Sequence, residues 1–251
     1  MTNVRTITQP VDGALPLMSA VDAAKPETDD PVRRSLEAHG YIDFGPSLDP
    51  AACERLANLF SESAPFRSHI VMRRHGFGEG EYKYFSNPLP PEIAAARAAL
   101  YERLVDIANA WERALGTGKQ FPPSHAAFLE RCHAAGQTRP TPLLLRYREG
   151  DYNCLHQDLY GEHVFPLQVV VLLSDPADFE GGDFVLTEQR PRMQSRAEVV
   201  LLEQGHAVAF PVNERPRMGS RGVYRVRQRH GVSRVRSGER YTLGIIFHDA
   251  E

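Results

Sequence analysis

One short motif in the chain combines two side chains that bind metal ions. His156 and Asp158 lie two residues apart in a strand-like stretch, so they point to the same face of the strand. His230 follows 74 residues after His156, in a second strand-like stretch. Two histidines and one carboxylate form the facial triad that holds Fe(II) in non-haem iron enzymes and leaves coordination positions open for other ligands. These three residues are therefore the predicted metal ligands and catalytic residues.

A second group of residues could bind a dicarboxylate beside the metal. Arg240 follows His230 by ten residues, and a guanidinium can hold a carboxylate through two parallel hydrogen bonds. Thr242 lies two residues further along the same predicted strand, so its hydroxyl shares the face of Arg240. The expected ligand of this pair is the distal carboxylate of 2-oxoglutarate, whose keto acid end would chelate the iron.

The order of these motifs resembles the catalytic core of the Fe(II)/2-oxoglutarate-dependent dioxygenase superfamily over residues 143–249. Tyr147 stands where many members have a tyrosine that contacts 2-oxoglutarate. Residues 180–184 resemble the Gly-Gly turn of the prolyl-4-hydroxylase-like branch, and residues 205–210 resemble the strand before its distal histidine. The resemblance implies an Fe(II) cofactor, with 2-oxoglutarate and O2 as cosubstrates. It also implies hydroxylation of a C–H bond, with decarboxylation of 2-oxoglutarate to succinate.

Two features of the sequence point to single-stranded or damaged nucleic acid as a substrate. Residues 215–240 contain nine arginines and one glutamate, and Arg227 and Arg229 of this segment are predicted to contact phosphates. Residues 73–85 mix glycines, aromatic residues and positive charges, which fits a mobile lid that stacks on a flat substrate; a hairpin with surface aromatics is the alternative. The predicted substrate-binding residues of this second segment are His75, Phe77, Tyr82 and Tyr84.

The sequence motifs leave the choice of substrate open. The triplet His-Gln-Asp at residues 156–158 is also found in AlkB-type dioxygenases, and the chain resembles a prokaryotic oxygenase family proposed to act in repair of alkylated DNA. Such enzymes hydroxylate an N-methyl group, which leaves as formaldehyde. However, Leu145 stands where AlkB-type enzymes have asparagine, and the step from His230 to Arg240 resembles that of prolyl hydroxylases. The alternatives are a prolyl, amino-acid or protein side-chain hydroxylase and a metal-binding jelly-roll module without turnover.

The elements around these motifs predict a mainly β protein with N-terminal helices. Helices are predicted to begin at Pro31 and Pro50, and a long one runs from Pro91 to about Leu115, where apolar residues recur every three or four positions. After Pro140, short apolar runs alternate with turn residues, which predicts an antiparallel sandwich or barrel. The resemblance makes this region a double-stranded β-helix, or jelly-roll, core flanked by helices.

Three parts of the chain are predicted: a flexible segment over 1–30, helical support with the lid over 31–139, and the double-stranded β-helix catalytic core over 140–251. The composition, 42% hydrophobic and 24% charged, is that of a globular protein and excludes disordered and fibrous classes. No apolar run approaches the roughly 18 residues that a membrane span needs, and no signal peptide pattern is visible. We therefore expect a cytoplasmic protein without a membrane partner.

Overall fold

The computed structural model describes residues 31–251, which form two antiparallel sheets with helices packed against the larger one. The segment predicted to be flexible, residues 1–30, lies outside the described residues. The α-helices of the described part span Pro31–His39 (α1), Pro50–Asn58 (α2), Pro91–Leu115 (α3) and His125–Ala134 (α4). None of these helices is long and apolar enough to cross a membrane.

Fourteen strands are present between residues 31 and 251. They span Ile42–Pro46 (β1), Phe66–Val71 (β2), Gly78–Glu79 (β3), Glu81–Phe85 (β4), Leu143–Arg148 (β5), Tyr152–His156 (β6), Leu167–Leu172 (β7), Phe179–Gly181 (β8), Phe184–Gln189 (β9), Arg196–Val200 (β10), His206–Pro211 (β11), Glu214–Gly219 (β12), Gly222–Val232 (β13) and Val235–Ile246 (β14).

The strands form two sheets whose neighbours are mostly distant in sequence. The larger sheet has the order β1-β11-β7-β14-β5-β4-β2, and β8 pairs with β14 beside this path. The smaller sheet has the order β10-β9-β13-β6-β3, and β12 pairs with β13. Long connections between antiparallel neighbours are typical of the jelly roll. The predicted fold class, a mainly β jelly roll flanked by helices, is confirmed.

The two faces of the larger sheet pack against different layers. Val169 and Val171 of β7 belong to the main hydrophobic cluster, which also contains Trp111 of the long helix α3. Val170, between them, belongs to a second cluster together with Phe210 of β11. Successive side chains of a strand point to opposite faces. The larger sheet therefore has one face covered by helices, while its other face is directed at the smaller sheet.

A buried ion pair joins the helices to the end of β14. Arg97 of α3 donates hydrogen bonds to the Ile246 carbonyl and to the Asp249 carboxylate, each at 2.8 Å. The other carboxylate oxygen of Asp249 lies 2.9 Å from Nε2 of His133 in α4. One buried carboxylate thus links both helices to the strand that carries Arg240.

Part of the segment that fits a lid or a hairpin belongs to the larger sheet. Residues Glu81–Phe85, part of the predicted lid, form β4, which is hydrogen-bonded to β2 on one side and to β5 on the other. A strand paired along both edges is an internal part of the sheet, which fits the hairpin alternative for residues 81–85. The mobile lid over residues 73–85 stays a prediction.

Candidate active site

A cavity of about 410 Å³ opens between the two sheets. The smaller sheet contributes His156 and His230 to its wall, and the larger sheet contributes Arg240 and Thr242. Most of the remaining wall is apolar or aromatic. A concave, mainly apolar pocket with a few convergent polar groups is the usual form of a small-molecule site.

The two histidines and the carboxylate of the sequence motif converge on this cavity. Each of His156, Asp158 and His230 offers one potential metal-ligating atom, and these three atoms lie within 4.8 Å of one another. Nε2 of His230 is 3.3 Å from one oxygen of Asp158, and Nε2 of His156 is 3.6 Å from the other. This set of donors fits a divalent iron ion.

Strand pairing explains why residues so far apart in sequence meet. His156 ends β6 and lies directly opposite His230 in the antiparallel pairing of β6 with β13. Gly231 lets the strands approach closely, because a Cβ atom there would lie only 2.7 Å from the Asn153 carbonyl oxygen. Asp158 follows the end of β6 by two residues, and its carboxylate accepts a hydrogen bond of 2.8 Å from the Tyr160 hydroxyl.

The electrostatics of Asp158 and His156 suit metal binding. Burial alone would raise the pKa of Asp158, but the hydrogen bond and charge of His230 and the charge of His156 outweigh it, so this pKa lies below the usual range. Burial and the neighbouring His230 lower the pKa of His156. A carboxylate and neutral imidazoles are the protonation states that ligate metals.

Arg240 is a buried cation that faces the cavity. Its side chain is 2% exposed, and its Nη1 atom has no hydrogen-bond partner among the described residues. Burial lowers the pKa of Arg240 to about 10, although the nearby Tyr147 and Asp183 act in the opposite direction. A buried guanidinium without a complete set of acceptors is costly. A carboxylate ligand in the cavity would supply the missing acceptors, so the site fits 2-oxoglutarate.

The other two predicted cosubstrate residues border the same end of the cavity. Tyr147 is fully buried opposite Arg240 in the pairing of β5 with β14, and its ring centroid is 5.7 Å from the guanidinium. Its hydroxyl accepts a hydrogen bond of 3.2 Å from Asn153, and burial raises its pKa to about 12. Thr242 is 2% exposed and also lines the cavity.

The structure divides the residues predicted to bind substrate. Phe77, Tyr82 and Tyr84 line the cavity, and Phe77 is 47% exposed at its rim. His75 does not line the cavity, but its ring stacks on Phe77 with centroids 5.3 Å apart. The hydroxyl of Tyr84 lies 3.4 Å from that of Tyr160, which continues the polar contacts towards Asp158.

Arg227 and Arg229 do not contribute to the cavity wall. Both are exposed, whereas Gln228 between them and the following His230 are buried. The alternation of β13 therefore directs the arginines to the outer face of the smaller sheet, where Arg227 lies 3.5 Å from Glu214. A phosphate contact by these arginines stays a prediction, on a surface separate from the cavity.

Sequence reasoning missed three kinds of cavity residue. Tyr160 could have been found from its position two residues after Asp158, since a polar side chain there can support the carboxylate. Phe184 and Phe210 carry no sequence signal beyond apolarity, yet the Phe210 ring is 4.9 Å from that of His230. Gln168 lines the cavity from within an apolar strand, and no spacing rule marked it.

Several known proteins are similar to this chain in sequence or fold. An uncharacterized protein of Mycobacterium tuberculosis is 53% identical over 167 residues, which cover 66% of this chain and 72% of that protein. A prolyl hydroxylase of Trichoplax adhaerens, solved with a hypoxia inducible factor oxygen degradation domain peptide fragment, has a TM-score of 0.50 at 13% identity and covers 87% of each chain. This likeness supports the jelly-roll fold.

A further solved structure is the 2OG-Fe(II) oxygenase family oxidoreductase of Burkholderia pseudomallei, with a TM-score of 0.47 at 16% identity, covering 87% of this chain and 91% of that one. A family model, Oxygenase-NA, described as an oxygenase catalysing oxidative methylation of damaged DNA, matches residues 80–250. This match confirms the predicted resemblance to an oxygenase family that acts on damaged DNA. Because the match spans more than half of the chain, the protein belongs to the Oxygenase-NA family.

Proposed function

We propose that this protein is an Fe(II)/2-oxoglutarate-dependent dioxygenase that removes methyl groups from alkylated bases of nucleic acid. His156, Asp158 and His230 would hold the iron, and Arg240 would hold the distal carboxylate of 2-oxoglutarate. When bound, the iron and 2-oxoglutarate supply the oxidising chemistry, which consumes O2 and yields succinate. The protein contributes ligands, orientation and a mainly apolar cavity.

One observation carries the assignment as a dioxygenase: the incompletely bonded Arg240 shares a cavity with a possible iron triad. A metal-binding module without turnover has no use for a buried guanidinium that lacks acceptors, because such a charge destabilises the fold. A carboxylate bound beside Arg240 would accept charge-assisted hydrogen bonds from the guanidinium and so offset the destabilisation. Tyr147 and Thr242 lie beside Arg240 and line the end of the cavity where 2-oxoglutarate is predicted to bind.

The described activity of the family supports damaged DNA as the substrate. A base must leave the helical stack to reach an atom held inside a protein cavity. Phe77, Tyr82 and Tyr84 present aromatic surface on which such a base can stack, and stacking tolerates different bases. Oxidation of the N-methyl carbon gives a hemiaminal, which loses formaldehyde and a proton and leaves the unmethylated base.

Two groups of residues position the reaction. The hydroxyl of Tyr160 donates to Asp158 and restrains the carboxylate, as partners of metal ligands commonly do. Phe184 and Phe210 lie against the ring of His230, with centroid distances of 6.1 Å and 4.9 Å. These rings fix the orientation of the imidazole and keep that side of the cavity apolar.

The test measures formaldehyde and succinate from Fe(II)-loaded protein supplied with 2-oxoglutarate, O2 and a single-stranded oligonucleotide that contains 3-methylcytosine. We expect both products from the wild type and neither above background from His156→Ala, which should also bind less iron. The matched control is His39→Ala, since His39 is an exposed histidine of α1 outside the cavity wall.

The other outcomes separate the alternatives. Succinate without formaldehyde would contradict the nucleic acid substrate and favour hydroxylation of a prolyl or other amino-acid side chain. Neither product from iron-replete protein, over a panel of oligonucleotides and peptides, would contradict the assignment as a dioxygenase.

A further inference from the structure

One polar side chain in the cavity wall has an amide nitrogen without a partner. Gln168 of β7 is 3% exposed, and its Nε2 atom donates to none of the described residues. Its neighbours Leu167 and Val169 belong to the cluster beneath the helices, so the side chain of Gln168 shares the opposite face with Val170. A buried amide donor without an acceptor destabilises a protein relative to an apolar side chain of similar shape. A ligand in the cavity could accept this hydrogen bond.

The strand register separates Gln168 from the predicted cosubstrate end. In the pairing of β7 with β14, Gln168 lies opposite Ile246, which is six residues from Arg240. Six residues correspond to about 20 Å along an extended strand. On its other edge Gln168 lies opposite Phe210, whose ring contacts that of His230. Gln168 is therefore near the predicted iron ligands, at the end of the cavity that the short 2-oxoglutarate molecule does not reach from Arg240.

We propose that Gln168 is a specificity-determining residue, which donates a hydrogen bond to a carbonyl oxygen of the methylated base. This inference rests on the proposed function and adds to it a preference among bases. A base that has left the stack is read through hydrogen bonds to its Watson–Crick edge. The methyl group to be oxidised has to lie beside the iron site, and Gln168 is near that site. The carbonyl oxygen that accepts the hydrogen bond must therefore lie close to the methylated nitrogen of the base.

The chemistry of the bases determines which of them can accept this hydrogen bond. In 3-methylcytosine the methylated N3 lies between the C2 carbonyl and the exocyclic amine. In 1-methyladenine the methylated N1 lies between a C2–H group and the exocyclic amine. The two bases present similar edges except that only the cytosine carries a carbonyl oxygen beside the methyl group. Nε2 of Gln168 can therefore bond to 3-methylcytosine and not to the corresponding position of 1-methyladenine.

The experiment compares kcat/KM for formaldehyde release from two single-stranded oligonucleotides that differ only in carrying 3-methylcytosine or 1-methyladenine. We expect the wild type to prefer 3-methylcytosine and Gln168→Met to reduce this preference about tenfold, the value of one hydrogen bond. The melting temperature of Gln168→Met should equal or exceed that of the wild type, because methionine has a similar shape and no unpaired donor. Gln168→Leu serves as a second apolar variant.

Gln137 offers a matched control, since it is another fully buried glutamine but its amide is bonded. Its Nε2 donates to the carbonyls of Tyr160, His163 and Asp249. Gln137→Met should lower the melting temperature and leave the ratio between the two substrates unchanged.

The possible failures are distinguishable. A wild type that releases no formaldehyde from either oligonucleotide overturns the proposed function and this inference with it. If the wild type is active and both Gln168 variants show the same ratio of kcat/KM between the two substrates as the wild type, this inference alone is overturned. Gln168 variants that melt well below the wild type and lose both substrates equally show a structural role, and also overturn it.

Discussion

At the residue scale, Arg240 and Gln168 are polar side chains that the folded protein leaves partly unbonded inside one cavity. In folded proteins almost all buried polar atoms have partners, so exceptions require an explanation. Arg240 lies at the end of the cavity predicted for 2-oxoglutarate, and Gln168 lies towards the end left for the substrate. The proposed cosubstrate and substrate would therefore bind at opposite ends of the cavity.

Replacement of Arg240 by methionine should weaken 2-oxoglutarate binding by about 100-fold, because two charge-assisted hydrogen bonds together contribute about 3 kcal/mol. Without ligand, the free energy of unfolding should not fall, since the variant removes an incompletely bonded buried charge. Calorimetric titration of Mn(II)-loaded protein in the absence of O2 measures the affinity, and urea unfolding measures the stability.

Arg97→Met is the matched control for this prediction. Arg97 is equally buried, but it is hydrogen-bonded to Asp249 and to the Ile246 carbonyl. Its loss should lower the free energy of unfolding by about 3 kcal/mol, because Asp249 loses its buried partner. If Arg240→Met bound 2-oxoglutarate as tightly as the wild type, the assignment of Arg240 would be wrong.

Spacing explains why some cavity residues could be predicted from sequence and others could not. His156 and Asp158 are recognisable because an i, i+2 pair on a strand shares a face, and Arg240 because it follows His230 in a fixed order. Gln168 stands in an apolar run, where one polar residue has no periodic signal. Its environment depends on Phe210 and Ile246, which come from other strands.

At the element scale, the ends of the long helix α3 and the start of α2 were predictable because their signals are local. The long helix runs over Pro91–Leu115 as predicted, with Gly116 in the left-handed conformation after its last turn. Asp49 caps α2 by accepting a hydrogen bond from the Ala52 amide. The sequence left residues 81–85 open between a lid and a hairpin, because membership of a sheet depends on distant partners that these residues do not reveal.

The close packing of the backbone at Gly205, just before β11, can be tested by substitution. Gly205 and Gly45 have similar positive φ angles, +76° and +80°, but different surroundings. A Cβ atom at Gly205 would lie 2.1 Å from the Leu48 carbonyl oxygen, whereas one at Gly45 would meet nothing within 4 Å. Gly205→Ala should therefore lower the free energy of unfolding by about 3 kcal/mol and Gly45→Ala by about 1 kcal/mol. Equal losses in urea unfolding would contradict the described contact between Gly205 and Leu48.

At the scale of the whole molecule, the cationic segment at residues 215–240 is distributed over three environments. Arg215 is buried against Glu188, Arg240 faces the cavity, and Arg227 is exposed beside Glu214. A count of charges along the sequence could not separate these environments, because strand alternation and sheet pairing decide where each arginine points. The segment is therefore not one continuous phosphate-binding surface.

Two buried histidines should make the whole fold sensitive to acid. Burial, followed by the charge of Arg97, lowers the pKa of both His125 and His248 from 6.5 to about 4. Between pH 6.5 and about pH 4, these two histidines bind protons in the unfolded chain but not in the folded protein. The free energy of unfolding therefore falls as the pH falls through this range. Above pH 6.5 both states hold neutral imidazoles and this contribution to stability is complete.

From pH 7 to pH 5 we expect each of these histidines to remove about 2 kcal/mol from the free energy of unfolding, as measured with urea. His125→Gln should abolish about half of the joint effect, because glutamine can still donate to the Phe247 carbonyl, which lies 2.9 Å from Nε2 of His125, but cannot be protonated. His39→Gln, at an exposed position of α1, should leave the pH dependence as it is in the wild type. If His125→Gln lost as much stability as the wild type over this interval, the acid sensitivity would have to arise from other groups.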